Sequence, residues 1–410
     1  MTPRRAGGFG RRGFAPAGFA IGDIVAGLGL LVIGFLSITL LTGNLPLLPG
    51  GDGGNGGKVG PIQTATPSNV VIVDPRSNVP GTILYVKAGN IWLQHGATAS
   101  ALTSGGHDAM PSFSTDGAWI YFIRSVDETG SWRVSGTTRR FRLSTPTLMR
   151  IKRDGSAEPE ALLTGRIKSG TLLWSYFLRQ PVVSPKGTPI VVVTDGPDPT
   201  KGDVVLKSFD PATGKLITLK APEIAPLGHQ DPAWSPDGHY LLYVKNARDG
   251  ARGAPVIMRY DTVTEKNVAI TGPGYTSPSW SPDGRFIAAT RTTSFGTDVV
   301  ILDARNGSEL LRVTSDGGSF DPVWSPAGDA IAYLSIASGV TDLWSAAVTT
   351  TGAPALHGDP LQLTIAAGLD AASRPGWWIP ADQLPTPVPT AVPSVKPSGS
   401  GSVPSGSTAP

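Results

Sequence analysis

The chain has no cysteine and only five histidines in 410 residues. Without thiols there is no disulfide framework, no cysteine nucleophile, no cysteine-ligated zinc and no lipid-modified cysteine; the redox compartment stays open, because an oxidising one permits disulfides without requiring them. His95, His107, His229, His239 and His357 are scattered, with no His-Glu-x-x-His motif and no carboxylate cluster at ligand spacing, so no metal site and no cofactor is expected. No Gly-x-Ser-x-Gly elbow marks a hydrolase domain. Ser114–Trp119 does not make a sialidase box, because Gly117 and Trp119 come too early for Ser-x-Asp-x-Gly-x-x-Trp.

Charge is also sparse, at 16% of residues with a net +3. It vanishes between Ile24 and Leu41, eighteen residues bordered by Asp23. As a helix that run is about 27 Å long, close to the ~30 Å of a bilayer's hydrocarbon core. Arg4, Arg5, Arg11 and Arg12 precede it with no acidic residue before Asp23, which by the positive-inside rule leaves residues 1–20 in the cytoplasm. One transmembrane signal-anchor helix is therefore expected over 21–42, in a single-pass protein of the cell membrane with the remainder extracytoplasmic. A cleaved signal peptide is the rival reading, but no Ala-x-Ala site follows in 41–51. Residues 43–80, with Gly50–Gly57 nearly all glycine, read as a flexible linker. Residues 381–410, rich in Pro, Ser and Thr, read as a disordered tail.

What the chain does have is a repeat. Pro111 (PSFSTDG), Pro181 (PVVSPKG), Pro232 (PAWSPDG), Pro278 (PSWSPDG), Pro322 (PVWSPAG) and Pro375 (PGWWIP) are spaced by 70, 51, 46, 44 and 53 residues, near the ~40–50 of one four-stranded propeller blade. Ser-Pro-Asp-Gly is turn chemistry: proline presets φ, aspartate bonds nearby amides and glycine accepts positive φ. An apolar strand follows each turn, as in Tyr240–Val244 or Ala330–Leu334. Phe113, Trp234, Trp280, Trp324 and Trp377 fall at one equivalent position and are expected to wedge between facing sheets. Gly81–Thr103 supplies later strands of a blade but lacks the Pro-x-Trp strand, which Arg374–Pro380 supplies with nothing after it. The pattern predicts an all-β fold over 81–380: a six-bladed β-propeller closed by pairing of its N- and C-terminal strands, which removes two sheet edges.

The Pro-x-Trp-Ser-Pro-Asp-Gly phrase resembles that of the TolB-like propellers, which carry WD-repeat-like repeats. The likeness covers about residues 81–380 and is strongest at Pro232–Gly238 and Pro278–Gly284, where the phrase is intact. Val183 and Lys186 replace the aromatic and the aspartate in one copy, and the turn residues are lost after Pro375. The resemblance implies a scaffold that binds proteins, peptides or glycans at the mouth of its channel, and it implies no reaction.

Segments leading into the innermost strands converge on the axis whatever their separation in sequence. They contribute His107, Asp108, Arg179, Gln180, His229, Gln230, Asp231, Tyr275, Thr276, Ser277, Phe320, Asp321 and Arg374, a mixed polar and aromatic rim of the kind that binds ligands. Two other classes stay open: a metal-dependent lyase or hydrolase using His107 and His229 with Asp108, Asp231 or Asp321, and a structural or sensor ectodomain. The 70-residue interval holds two excursions, Ser125–Pro146 and Gly165–Arg179. Residues 133–168, including Arg139, Arg140 and Arg142, carry nine basic against three acidic residues, which reads either as a solvated basic face or as a surface for an anionic partner. The expected partner is a protein, peptide or glycan of the cell envelope, not a nucleic acid, and the expected state is a monomer.

Overall fold

Proline has no N–H to give a neighbouring strand, so within a sheet it is confined to edges and bulges. A computed structural model, which describes residues 74–199, 202–219, 228–248 and 252–385, shows both solutions at once. Five of the recurrent prolines lie on the innermost strand of a blade, each in a two-for-one bulge. Ala109 pairs with Ile123 and Ser112 with Tyr121, which sets Met110 and Pro111 opposite Phe122 alone. The same shift recurs at Gln180–Pro181, Asp231–Pro232, Ser277–Pro278 and Asp321–Pro322. The residue before each proline takes left-handed backbone, with φ of 52° at Met110, 49° at Gln180, 54° at Asp231, 52° at Ser277 and 51° at Asp321. A non-glycine residue there costs about 1–2 kcal/mol, so fivefold repetition marks a feature that the surrounding structure enforces.

The strands fall into six blades, named here from the innermost strand outward. Blade 1 takes Gly376–Trp378 from the C-terminal side, then Thr82–Lys87, Asn90–His95 and Thr98–Ala101. Blade 2 is Asp108–Phe113, Trp119–Val134, Thr137–Lys152 and Glu160–Thr164. Blade 3 is Leu178–Val183, Ile190–Thr194, Val205–Asp210 and Lys215–Thr218, and blade 4 is Gln230–Trp234, Tyr240–Arg248, Arg252–Asp261 and Lys266–Ala269. Blade 5 is Tyr275–Trp280, Phe286–Thr293, Gly296–Asp303 and Glu309–Arg312. Blade 6 is Ser319–Trp324, Ala330–Ala337 and Val340–Thr349, flanked by the short Ala355–Leu356 and Leu361–Gln362. In blade 1 the terminal strands meet in the register Thr82 to Trp378, Ile83 to Trp377 and Leu84 to Gly376.

Successive residues of each strand face alternate neighbouring blades, and six apolar clusters result, one per blade boundary. Trp280 packs between blades 4 and 5, Trp324 between 5 and 6, and Trp377 between 6 and 1, where Ile83 and Tyr85 meet Leu334 and Leu343. Trp234 and Phe113 pack at the boundaries of blades 3 with 4 and 1 with 2, and Val183 takes the same place between 2 and 3. The aromatic wedges of the repeat are thus where the spacing placed them. The turn phrase also behaves as its residues dictate: Ser235 Oγ donates to Asp237 Oδ1 (2.6 Å), which accepts from the His239 amide (3.0 Å), and Ser281, Asp283 and Arg285 repeat this.

These turns define one face of the propeller, the turn face; the opposite, mouth face is where the chain enters the innermost strands. Of the expected linker, residues 74–80 are ordered: Asp74 caps a short 3-10 turn, Pro75–Asn78, and Arg76 donates to the Leu363 carbonyl (3.5 Å). The expected anchor over 21–42, the linker to residue 73 and the tail from 386 lie outside the described residues; among the described residues no helix is long and apolar enough to cross a membrane.

The excursions of blade 2 are not loops. Ser125–Pro146 continues two blade strands into a hairpin whose pairing runs unbroken from Trp119 with Lys152 to Val134 with Thr137. Within the second, Arg166–Ser169 and Leu172–Ser175 form a short hairpin that joins the same sheet through Ser131 and Leu173.

Candidate functional site

The bulges decide what lines the axis. Left-handed backbone before a bulged proline takes that residue's amide out of its own blade's ladder, and in four of the five bulges the preceding blade satisfies it. The Asp231 amide donates to Gln180 Oε1 (3.0 Å), the Ser277 amide to Asp231 Oδ2 (3.1 Å), the Asp321 amide to Thr290 Oγ1 (3.0 Å) and the Met110 amide to Ser373 Oγ (2.9 Å). Side chains complete the belt. Gln180 Nε2 donates to Asp231 Oδ1 (2.7 Å), and Ser277 Oγ donates to Asp321 Oδ1 (2.5 Å). Ser373 Oγ donates to Asp370 Oδ2 (2.6 Å). Arg374, which precedes the last proline, reaches across to the Pro278 carbonyl (2.9 Å) in blade 5.

Within this belt lies a cavity of about 220 Å³, its wall including Met110, Gln180, Asp231, Asp321, Arg374 and Trp377. That space exceeds what a few waters need, each taking about 10–15 Å³ on this measure. It fits a side chain offered from outside. The electrostatics are tense: burial pushes the Asp321 carboxyl up to about 6, aided by Asp231 and Asp370 and opposed by Arg374 and the Ser277 hydroxyl. Burial likewise pulls Arg179 below the ordinary arginine value, against the pull of Asp231 and Asp370. A belt that keeps costly charge beside an accessible cavity has the character of a functional site.

Of the rim residues expected from sequence, the belt brings together Gln180, Asp231, Ser277, Asp321 and Arg374, with Arg179 in electrostatic reach. The others take no part in it. Asp108 is buried in an ion pair with Arg124 inside blade 2 (2.6 Å), and His107 and Gln230 are exposed. His229 is buried at the boundary of blades 3 and 4, its ring 4.6 Å from Tyr243. Tyr275 donates to Glu309 Oε2 (3.2 Å) on the outermost strand of its own blade. Thr276 pairs with Thr290, and Phe320 packs at the boundary of blades 6 and 1. His107 and His229 therefore form no common site, and among the described residues no three His, Cys, Asp or Glu side chains are placed to hold a metal. Sequence reasoning missed Met110 and Asp370. Met110 had a signal, since it too precedes a repeat proline; Asp370 had none. In the insertion, Arg142 pairs with Asp127 (2.6 Å), whereas Arg139 and Arg140 have no carboxylate partner among the described residues.

No family model matches the sequence, and no curated protein matches it. Among solved structures, TolB from Acinetobacter baumannii superposes with a TM-score of 0.50 at 19% identity, over 72% of this chain and 66% of that one. The chain thus spans just under two thirds of that protein's length. A structure described as a TolB from Agrobacterium tumefaciens gives 0.51 at 16%, over 74% of this chain and 95% of that one. An oligogalacturonate lyase from Vibrio parahaemolyticus is matched more loosely, with a TM-score of 0.42 at 14% identity over 66% of this chain and 92% of that one, and bears no argument. At such identities the likeness concerns the fold alone: the chain has the fold of a TolB-like six-bladed β-propeller.

Proposed function

We propose that the protein is a binding scaffold, without catalysis of its own, whose mouth receives a protein or peptide side chain into the axial cavity. In this reading the propeller is a closed, monomeric ring held outside the cell membrane by the uncharged run at 21–42, with its N-terminus cytoplasmic. Closure is supported by the pairing of Thr82–Leu84 with Gly376–Trp378 and by the cluster shared between blades 6 and 1. The observation that carries the binding reading is the belt itself: Met110, Gln180, Asp231 and Asp321, from blades 2, 3, 4 and 6 and each at the position before a bulged proline, rim with Arg374 a cavity with room for a side chain.

The test places a photoreactive amino acid at Met110 of the full-length chain, in the cells that make it. Expected is a discrete adduct that disappears when Asp231 and Asp321 are both changed to asparagine, and that is absent when the photoprobe replaces Val268, exposed on the outermost strand of blade 4. Equal adducts from both positions, or none from Met110, would refute the reading.

A further inference from the structure

The strongest feature outside the axial cavity is the arm on blade 2. The innermost strand begins opposite Arg124, yet the hairpin continues ten residues further, to Val134. At about 3.3 Å per residue it rises about 33 Å from the mouth face. It is braced, not loose. Ser131 Oγ donates to the Thr171 carbonyl (2.8 Å) and accepts from the Leu173 amide (3.0 Å), and the Trp132 and Trp174 rings meet edge-on with centroids 4.8 Å apart. The sheet order puts Arg166–Ser169 outermost on the side where the innermost strand lies. It is largely exposed and pairs with one strand; the Arg166 amide donates to Thr164 Oγ1 (3.2 Å), so the open edge is the Arg166 carbonyl with the N–H and C=O of Lys168.

The two faces of the arm differ. Lys168 is opposite Leu173, Leu173 opposite Ser131 and Ser131 opposite Arg140, so Lys168 and Arg140 share a face, joined by Arg133 two residues from Ser131. Asp127, Glu128 and Glu160 are engaged by Arg142, Arg166 and Arg150. Arg133, Arg140 and Lys168 have no such partner among the described residues. The other face carries Ile167, Trp174, Trp132 and Phe141.

We propose that the arm captures an extended acidic segment of a partner protein, which adds as a strand along Arg166–Ser169. Alternate residues of such a strand fall on the two faces, so the fitting segment alternates acidic with apolar residues. Its carboxylates touch Lys168, which lies on the strand that it joins, while Arg133 and Arg140, on other strands of the arm, act by steering. A bilayer is the less fitting occupant, because the main-chain N–H and C=O that Lys168 leaves open are matched by another strand and not by lipid headgroups. The inference is independent of the axial cavity.

The probe is a fluorescent peptide alternating glutamate and valine, titrated against the full-length chain by anisotropy. Expected is saturable binding, weakened at least about tenfold by N-methylation of alternate peptide amides, by lysine in place of the peptide's glutamates and by Lys168→Glu. Arg133→Glu with Arg140→Glu should weaken it only at low salt, and Asp231→Asn should leave it unchanged. An unaltered unfolding transition in each variant excludes simple misfolding. No binding, binding indifferent to N-methylation or to Lys168, or equal affinity for vesicles of anionic lipid would overturn the proposal.

Discussion

Asp321→Asn tests the belt most sharply, because asparagine keeps the shape and an Oδ1 that can still accept from Ser277 Oγ while losing the charge. In the folded protein burial pushes the Asp321 carboxyl up to about 6, above its ordinary value of 3.8. Below the ordinary value both folded and unfolded chains hold the proton, and the group is neutral to stability. As pH rises, the unfolded chain releases its proton first and the folded chain is penalised progressively. The full penalty stands above the folded value, and a shift of about two units is worth about 3 kcal/mol. Ionisable groups out of reach of Asp321 contribute equally in both proteins and cancel from the comparison. Urea unfolding should therefore show the variant gaining about 2–3 kcal/mol on the wild type between about pH 4 and about pH 7.5. Parallel stability profiles across that window would refute the claim that this carboxyl is held at a cost beside the cavity.

Further outcomes follow from the same geometry. Arg374→Ala strips a cation from beside Asp321 and the donor from the Pro278 carbonyl; it should cost about 1–3 kcal/mol near neutral pH and less below pH about 5, where Asp321 is protonated, as read by urea unfolding. Trp280 Nε1 donates to the Ala233 carbonyl (3.2 Å), whereas Trp324 Nε1 is buried without an acceptor among the described residues. Trp280→Phe should therefore destabilise by about 1 kcal/mol more than Trp324→Phe, while either Trp→Ala change costs about 3–5 kcal/mol; equal costs for the two phenylalanine variants would count against the hydrogen bond. Gly117 has φ of 66°, and an added Cβ would stand 2.1 Å from the Trp378 ring. Gly117→Ala should lower the melting temperature by several degrees, and an unchanged transition would mean that blades 1 and 2 do not meet there.

Much of this architecture was legible because the repeat writes each structural requirement in a different residue. Proline marks the bulge, the aromatic two positions on marks the blade boundary, and Ser-x-Asp-Gly marks the turn, so Trp234, Trp280, Trp324 and Trp377 could be placed before any strand was seen. The arm was not legible. A strand shows in sequence by alternation of apolar with polar residues, whereas Asp127, Thr129, Ser131 and Arg133 face residues as polar as themselves, and Ser131 is buried by the second hairpin, forty residues further along the chain. The rim was half legible. Position in the repeat located Gln180, Asp231, Ser277, Asp321 and Arg374, but not the left-handed backbone that turns them to the axis. Nor could it tell them from His229, whose amide is tied to the Val204 carbonyl (3.0 Å) and whose ring is drawn between blades 3 and 4.

The whole account requires the two ends of the array to meet, since Arg374 reaches the belt only through the strand that pairs with Thr82–Leu84. The absence of native cysteine makes that directly measurable. With Thr82→Cys and Trp378→Cys together, mild oxidation should convert the chain to a disulfide-closed form that migrates faster in denaturing gels and reverts on reduction, whereas Thr82→Cys with Val268→Cys should not convert. Failure of the first pair to close in the folded protein, or equal closure of both pairs, would contradict the ring.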